Sequence, residues 1–129
     1  MVLDKKVAEQ TVDFLTQINA IKLNTKNPFT WTSGIKSPIY CDNRLVLSYP
    51  KIREFIANSM SQIINNKYGT DISIVGVATG AVAMGIMIAE RLNLPYAYVR
   101  PEPKGHGLKN KIEGNINKNS GVVVIEDLI

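Results

Sequence analysis

Two adjacent carboxylates, Glu126 and Asp127, directly follow an apolar run, Val122–Ile125, that is typical of a buried strand. Carboxylate oxygens accept hydrogen bonds from vicinal hydroxyl groups, and they also suit a metal ion that a ligand's own oxygens help to hold. A strand end that meets solvent is the alternative, because acidic side chains are common there. On these residues alone, both interpretations stay open.

A polar segment, Pro101–Ser120, carries basic side chains that could bind an anion. Arg100 precedes it, and Lys104 and His106 lie within it, so that one loop can present all three to the same ligand. From Arg100 to Lys118 there are five basic and two acidic residues, which give this stretch +3 of the net charge of +4. A solvated basic loop is the simpler interpretation, but loops this long within a domain are often functional.

A turn of small residues, Ala78–Gly80, lies between an apolar run and a helical pattern. Such a turn exposes backbone N–H groups at a helix N-terminus, where phosphate or carboxylate groups bind. It matches neither the dinucleotide-binding glycine pattern nor a Walker A loop. Simple close packing of helix against strand explains it equally well.

The hydrophobic pattern predicts the elements that position these residues. Helices are predicted over Lys5–Asn19, from the Ser48 cap to Asn65-Asn66, and over Ala81–Leu92. Strands are predicted over Ile72–Val77, Tyr96–Arg100 and Val122–Ile125. Shorter strands are predicted at Ile21–Leu23 and, on either side of a Ser33-Gly34 turn, at Phe29–Trp31 and Ile39–Cys41.

This order of elements indicates an α/β fold in which a parallel sheet is covered on both faces. The helix over Ala81–Leu92 is apolar nearly all round, so we expect it to be buried. Ligands of open α/β sheets bind at the carboxyl ends of the strands. The turn, the basic segment and the carboxylates should therefore meet at one edge.

Composition excludes several classes of protein. The 129 residues are 45% apolar and 20% charged, as in a soluble globular domain. The single cysteine, Cys41, permits no intrachain disulfide, and we expect a reducing, cytoplasmic location. Ile72–Ala89 is uncharged and nearly long enough to span a membrane, but its glycines and β-branched residues favour a strand, a turn and a helix. The lone His106 and Cys41 exclude a zinc cluster or a Cys/His nucleophile pair within one chain.

Three segments together resemble the orotate phosphoribosyltransferases, which are type I phosphoribosyltransferases. Val122–Ile129 resembles the opening of the motif that binds phosphoribosyl pyrophosphate (PRPP), Phe29–Arg44 resembles the N-terminal hood, and Tyr98–Gly107 resembles the catalytic loop. The resemblance runs from about Val7 to Ile129. It implies the transfer of ribose 5-phosphate from PRPP to orotate, which yields orotidine 5'-monophosphate and pyrophosphate, with Mg²⁺ bound mainly through PRPP and no metal ligated directly by the protein.

The resemblance also implies a role for each matching residue. The catalytic residues would be Lys104, His106 and Asp127. The PRPP-binding residues would be Arg100, Lys104, His106, Glu126, Asp127, Leu128 and Ile129. The pyrophosphate-side loop would be Ala78, Thr79 and Gly80, and the hood residues near orotate would be Lys36, Tyr40 and Arg44.

The implied fold is a type I phosphoribosyltransferase-like parallel sheet with flanking helices and a hood, in a homodimer whose loop acts across subunits. Pro101 stands where many members have a second lysine. The chain ends inside the PRPP motif, so we expect one incomplete domain, with helices and hood in residues 1–70 and half of the α/β core in 71–129. Such a piece should be inactive alone.

Two other functions stay open at this point. A purine phosphoribosyltransferase would share the PRPP motif, although the hood segment argues against it. A regulator that keeps the fold could bind nucleic acid through its basic loop, with salt-dependent affinity. Tyr98 is the aromatic residue near that loop, so base stacking is poorly supported, and we expect neither a nucleic-acid nor a membrane partner.

Overall fold

The computed structural model describes residues 4–101 and 111–128. The chain divides into two compact units, Met1–Arg53 and Glu54–Ile129. The division lies earlier than the expected boundary after residue 70. It falls inside a helix, Pro50–Tyr68, most of which belongs to the unit that carries the main sheet.

The first unit opens with helix α1, Lys5–Gln17. Asp4 caps it as predicted, because its carboxylate accepts a hydrogen bond of 3.1 Å from the backbone N–H of Val7. The helix ends before the predicted Asn19, since that residue has a left-handed φ of 56° and cannot continue the helix.

Short strands follow in the first unit. β1, Ile21–Leu23, pairs antiparallel with β4, Ile39–Cys41, while β2, Phe29–Thr30, pairs with β3, Lys36–Ser37. The two strands predicted on either side of the Ser33-Gly34 turn are confirmed as β2 and β4, but β3 between them was not predicted. The turn forms, but it closes onto β3, and Pro38, which has no N–H to donate, separates β3 from β4.

A 3-10 helix, Asn43–Ser48, leads into helix α2, Pro50–Tyr68, which starts at the predicted proline. α2 continues past the predicted Asn65-Asn66 end. It stops before Gly69, whose φ of 69° suits glycine and terminates the helix.

The main sheet of the second unit contains β5, Ile72–Val77; β6, Tyr96–Val99; β7, Ile112–Gly114; and β8, Gly121–Ile125. Within the described residues the strand order is β7-β6-β5-β8. β5 is parallel to β6 and β8, whereas β7 is antiparallel to β6. The sheet is therefore mixed, and the predicted loop Pro101–Ser120 contains a strand. The pattern missed β7 because only one of its residues, Ile112, is a large apolar one.

Helix α3, Val82–Leu92, packs closely on β5 in the second unit. A Cβ on Gly85 would lie 3.3 Å from the Cα of Gly76, so small residues set this approach. Ile74 and Ile88 are completely buried, and burial of each side chain contributes about 1.5–3 kcal/mol. Arg91 holds α3 against α2 through hydrogen bonds to the side chains of Asn58 and Glu54.

Two burial expectations were wrong. Ile86 on α3 is 45% exposed, so this helix is not buried all round. β5 is covered on both faces, but Val122 and Val124 of β8 are 45% and 59% exposed. These valines alternate with Val123 and Ile125, and Ile125 is buried. β8 therefore has one buried and one exposed face.

The uncharged segment from residue 72 to residue 89 is divided between β5 and α3. In the part of the chain that the structure describes, no helix has the length and apolar character needed to cross a membrane.

Candidate functional site

The carboxyl ends of three strands form one edge of the sheet. Because β6 and β8 both run parallel to β5, their last residues lie beside the last residues of β5. The turn 78–81 follows β5, Arg100 follows β6, and Glu126 and Asp127 follow β8. The turn, Arg100 and the two carboxylates therefore share this edge, as expected for the ends of parallel strands.

The turn after β5 is held by contacts on both sides. The backbone N–H of Ala78 donates a 2.8 Å hydrogen bond to the carbonyl oxygen of Val99, at the end of β6. The Ala78–Thr79 peptide bond is cis. The turn delivers the N-terminus of α3 to the same edge, where its partial positive charge favours an anion.

Gly80 brings the turn into contact with the carboxylates. A Cβ at this position would lie 2.6 Å from Oδ2 of Asp127, closer than any side-chain carbon can approach. Only glycine leaves room for the Asp127 carboxylate here. The turn at the N-terminus of α3 and the carboxylate at the end of β8 are thus direct neighbours.

The two carboxylates lie side by side in a partly buried environment. Both are half-buried, and Oε1 of Glu126 accepts a 2.9 Å hydrogen bond from the backbone N–H of Asp127. Burial raises the pKa of Glu126, and the neighbouring Asp127 side chain raises it further. Glu126 therefore takes up a proton more readily than an ordinary glutamate.

Arg100 occupies the β6 end of the edge. Its backbone N–H donates a 2.8 Å hydrogen bond to the carbonyl oxygen of Lys111, which closes the β6–β7 hairpin. Its Nε lies 3.4 Å from Oε1 of Glu113. Two predicted loop residues, Lys104 and His106, lie outside the described residues.

A metal ion would need ligand oxygens in addition to those of the protein. Among residues 4–101 and 111–128, no group of three or more His, Cys, Asp or Glu side chains converges on a point. Glu126 and Asp127 supply two carboxylates. This donor set fits a magnesium ion held mainly by the oxygens of a bound substrate.

The predicted hood residues lie on successive elements of the first unit. Lys36 is exposed on β3, and Tyr40 on β4 is half-buried with its ring 5.6 Å from that of Phe29. Arg44 is exposed in the 3-10 helix, and its Nε donates a 2.8 Å hydrogen bond to Oδ1 of Asp42. Through this bond, Arg44 lowers the pKa of Asp42.

The last residues of the predicted PRPP motif are placed only in part. Leu128 is 58% exposed, and Ile129 lies outside the described residues.

Sequence reasoning missed two residues that shape this edge. Tyr96 lies between Gly76 and Gly85, and its hydroxyl donates a 2.8 Å hydrogen bond to the carbonyl oxygen of Val82 in the first turn of α3. Burial raises the pKa of Tyr96, so the hydroxyl stays protonated as a donor.

The second missed residue is Glu113, whose carboxylate lies beside the Arg100 side chain. The Ile-Glu-Gly segment after the basic loop was the available signal for a returning strand.

Comparison with curated proteins identifies close relatives. The orotate phosphoribosyltransferase of Phocaeicola vulgatus is 54% identical over 127 residues, which cover 98% of this chain and 58% of the relative. That of Listeria monocytogenes serotype 4b is 49% identical over 129 residues, 100% of this chain and 60% of the relative. The chain thus spans less than two thirds of the relatives' length. No family model matches the chain.

Solved structures give the fold. Leishmania donovani UMP synthase superposes with a TM-score of 0.75 at 28% identity, over 98% of this chain and 26% of that one. Orotate phosphoribosyltransferase from Aeropyrum pernix superposes with a TM-score of 0.62 at 28% identity, over 87% of this chain and 61% of that chain. The expected type I phosphoribosyltransferase-like α/β fold is confirmed, and the matches favour neither the purine enzyme nor the nucleic-acid regulator.

Proposed function

We propose that this chain, which has the type I phosphoribosyltransferase fold and is similar along its length to orotate phosphoribosyltransferases, carries the PRPP- and orotate-binding residues of such an enzyme. The reaction transfers ribose 5-phosphate from PRPP to orotate and yields orotidine 5'-monophosphate and pyrophosphate. It belongs to pyrimidine nucleotide synthesis.

The contact between Gly80 and Asp127 is the observation that carries this proposal. It makes a turn suited to phosphate the direct neighbour of carboxylates suited to vicinal hydroxyls. PRPP has this arrangement of groups, since its pyrophosphate is attached to a sugar carbon next to the ribose hydroxyls. A nucleic-acid backbone does not need paired carboxylates, and they would repel it.

The carboxylates act on the ribose. Breaking the bond between C1 and the pyrophosphate builds positive charge on the sugar, as in glycoside cleavage. Glu126 and Asp127 accept hydrogen bonds from the ribose hydroxyls and hold the ring in place, and their negative charge favours the developing cation. Asp127, beside Gly80, is the carboxylate we assign to catalysis.

Positive groups at the same edge act on the leaving pyrophosphate. Arg100, the backbone N–H groups of Ala78–Gly80, and the loop residues Lys104 and His106 stabilise the negative charge that develops there. Mg²⁺ bound to PRPP oxygens would add positive charge to the same group. Leu128 and Ile129 lead onward from the carboxylates and border the ribose phosphate.

We assign recognition of orotate to the hood residues Lys36, Tyr40 and Arg44. Orotate carries a carboxylate and a planar ring, which suit a cationic side chain and an aromatic face respectively. The enzyme acts in the cytoplasm as a homodimer, and the loop that starts at Arg100 completes the site of the partner subunit.

A direct assay tests this function. The natural gene product that carries this chain should consume orotate in the presence of PRPP and Mg²⁺, followed as loss of orotate absorbance. Asp127→Asn should lower kcat about 100-fold or more, whereas Asp13→Asn, the same change at an exposed position on α1, should have no effect. Consumption of adenine or hypoxanthine in place of orotate would contradict the proposal.

A further inference from the structure

The β6–β7 hairpin places one acidic side chain beside the arginine of the site. In the antiparallel register Tyr98 lies opposite Glu113, and Val99 lies opposite Ile112. Arg100 comes two residues after Tyr98, so these two side chains share a face of the extended strand. Tyr98, Arg100 and Glu113 therefore form a cluster on one face of the hairpin.

Within this cluster the guanidinium lies back against its own hairpin. Nε of Arg100 is 3.4 Å from Oε1 of Glu113, and Cζ is 5.9 Å from the centroid of the Tyr98 ring. The Arg100 and Glu113 side chains are 35% and 29% exposed. The arginine is thus engaged by residues of this chain before any ligand binds.

The geometry of the pair makes it exchangeable. Nε of Arg100 is buried, yet within the described residues it makes no hydrogen bond of normal geometry, and its 3.4 Å distance to Oε1 of Glu113 is that of an ion pair. Partly exposed ion pairs of this kind are weak. A pyrophosphate group can form bidentate hydrogen bonds to a guanidinium, which are shorter and stronger.

We infer that Glu113 is a positioning residue that acts through Arg100: its carboxylate holds the guanidinium in the ligand-free protein and competes with the pyrophosphate group for it. This inference rests on the proposed function, because it takes Arg100 as a ligand of pyrophosphate. Binding exchanges one anionic partner for another. Glu113 thereby weakens pyrophosphate binding and favours release of this product.

The Glu113→Gln variant tests the exchange, because it keeps the shape of the side chain and removes its charge. Titration calorimetry of the natural protein with pyrophosphate and Mg²⁺ should give a Kd about 3- to 10-fold lower than that of the parent. Glu90→Gln is the matched control: it removes the same charge from an exposed position on α3 and should change Kd less than twofold. A merely structural role for Glu113 would weaken binding and lower the Tm together.

A double-mutant cycle shows whether the effect passes through Arg100. Arg100→Gln alone should raise the Kd for pyrophosphate, and adding Glu113→Gln to it should change Kd no more than Glu90→Gln does. If Glu113→Gln tightens binding equally in the Arg100→Gln background, the inference is overturned. If Arg100→Gln weakens binding but Glu113→Gln does not tighten it, the inference fails while the proposed function stands. If Arg100→Gln leaves Kd unchanged, both the inference and the proposed role of Arg100 fail.

Discussion

The carboxylate of Glu126 shows how position at a strand end changes the behaviour of a side chain. The pKa of Glu126 is raised, mainly by burial and further by the side chain of Asp127. The end of β8 holds the oxygens of both side chains in place and keeps two acidic groups close together, partly out of water.

This arrangement predicts a dependence of stability on pH. The pKa of Glu126 lies above the ordinary value of 4.5, so the folded protein binds this proton more tightly than the unfolded chain does. The stabilising effect is complete below pH 4.5 and is lost as the pH rises through the raised pKa. Glu126→Gln, which stays neutral, should therefore be more stable than the parent at pH 7, by about 1 kcal/mol or less.

Urea unfolding at pH 7 and at pH 3.5 measures this difference. The advantage of Glu126→Gln should disappear at the lower pH, where Glu126 is protonated in both states. Glu90→Gln should show neither effect, because it removes an exposed charge. A Glu126→Gln protein less stable than the parent at neutral pH would contradict this explanation.

At the scale of elements, small residues determine how closely the helix and strands approach the site. Tyr96 fills the space that Gly76 and Gly85 leave open, and its hydroxyl fixes the first turn of α3. Gly80 allows a similarly close approach in the turn after β5, because a Cβ there would occupy the place of the Asp127 carboxylate. The turn and the strand end are consequently built as one unit.

The Gly80→Ala variant tests this contact. The added methyl group must displace the Asp127 carboxylate or move the turn, so we expect KM for PRPP to rise about tenfold or more and stability to fall by about 1–3 kcal/mol. Steady-state kinetics and thermal unfolding give the two values. Gly121→Ala is the control: it adds the same methyl at the start of β8, where the nearest atom is Cγ2 of Ile72 at 3.1 Å and no carboxylate of the site is in contact, and it should leave KM unchanged.

How far the elements could be predicted depends on their length and neighbours. The long helices and β5 have enough apolar residues in a regular period to be placed within a few residues. β7 has three residues and, in the described part of the chain, pairs with β6 alone, so the Ile-Glu-Gly segment is too short to predict a strand without the hairpin contact. The pairing of β4 with β1 was not predicted, because it joins residues that are distant in sequence.

At the scale of the molecule, the chain consists of two compact units, and the candidate residues are divided between them. The predicted hood residues Lys36, Tyr40 and Arg44 lie in the first unit, whereas the edge proposed to bind PRPP lies in the second. The relatives extend well beyond the matched region, since the chain covers 55–60% of their length. We therefore propose that the 129 residues bind both substrates but need further residues to turn them over.

A chimera tests whether residues beyond this chain are needed for turnover. The chain alone should not consume orotate, whereas residues 1–129 joined to the part of the Phocaeicola vulgatus enzyme that follows the matched region should do so with PRPP and Mg²⁺. The same chimera with Asp127→Asn controls for activity that arises elsewhere. Turnover by the 129-residue chain would contradict the prediction, and so would a folded chimera that does not consume orotate.

The sequence by itself determined the α/β class, the strand ends that form the candidate site, and the residues at them. It could do so because strand ends, helix caps and glycine turns are local features, written in neighbouring residues. Only the tertiary structure decided that Gly80 touches Asp127, that Tyr96 reaches α3, and that Glu113 faces Arg100. These contacts join residues far apart in the chain or on paired strands, and their distances follow from packing, which no local pattern encodes.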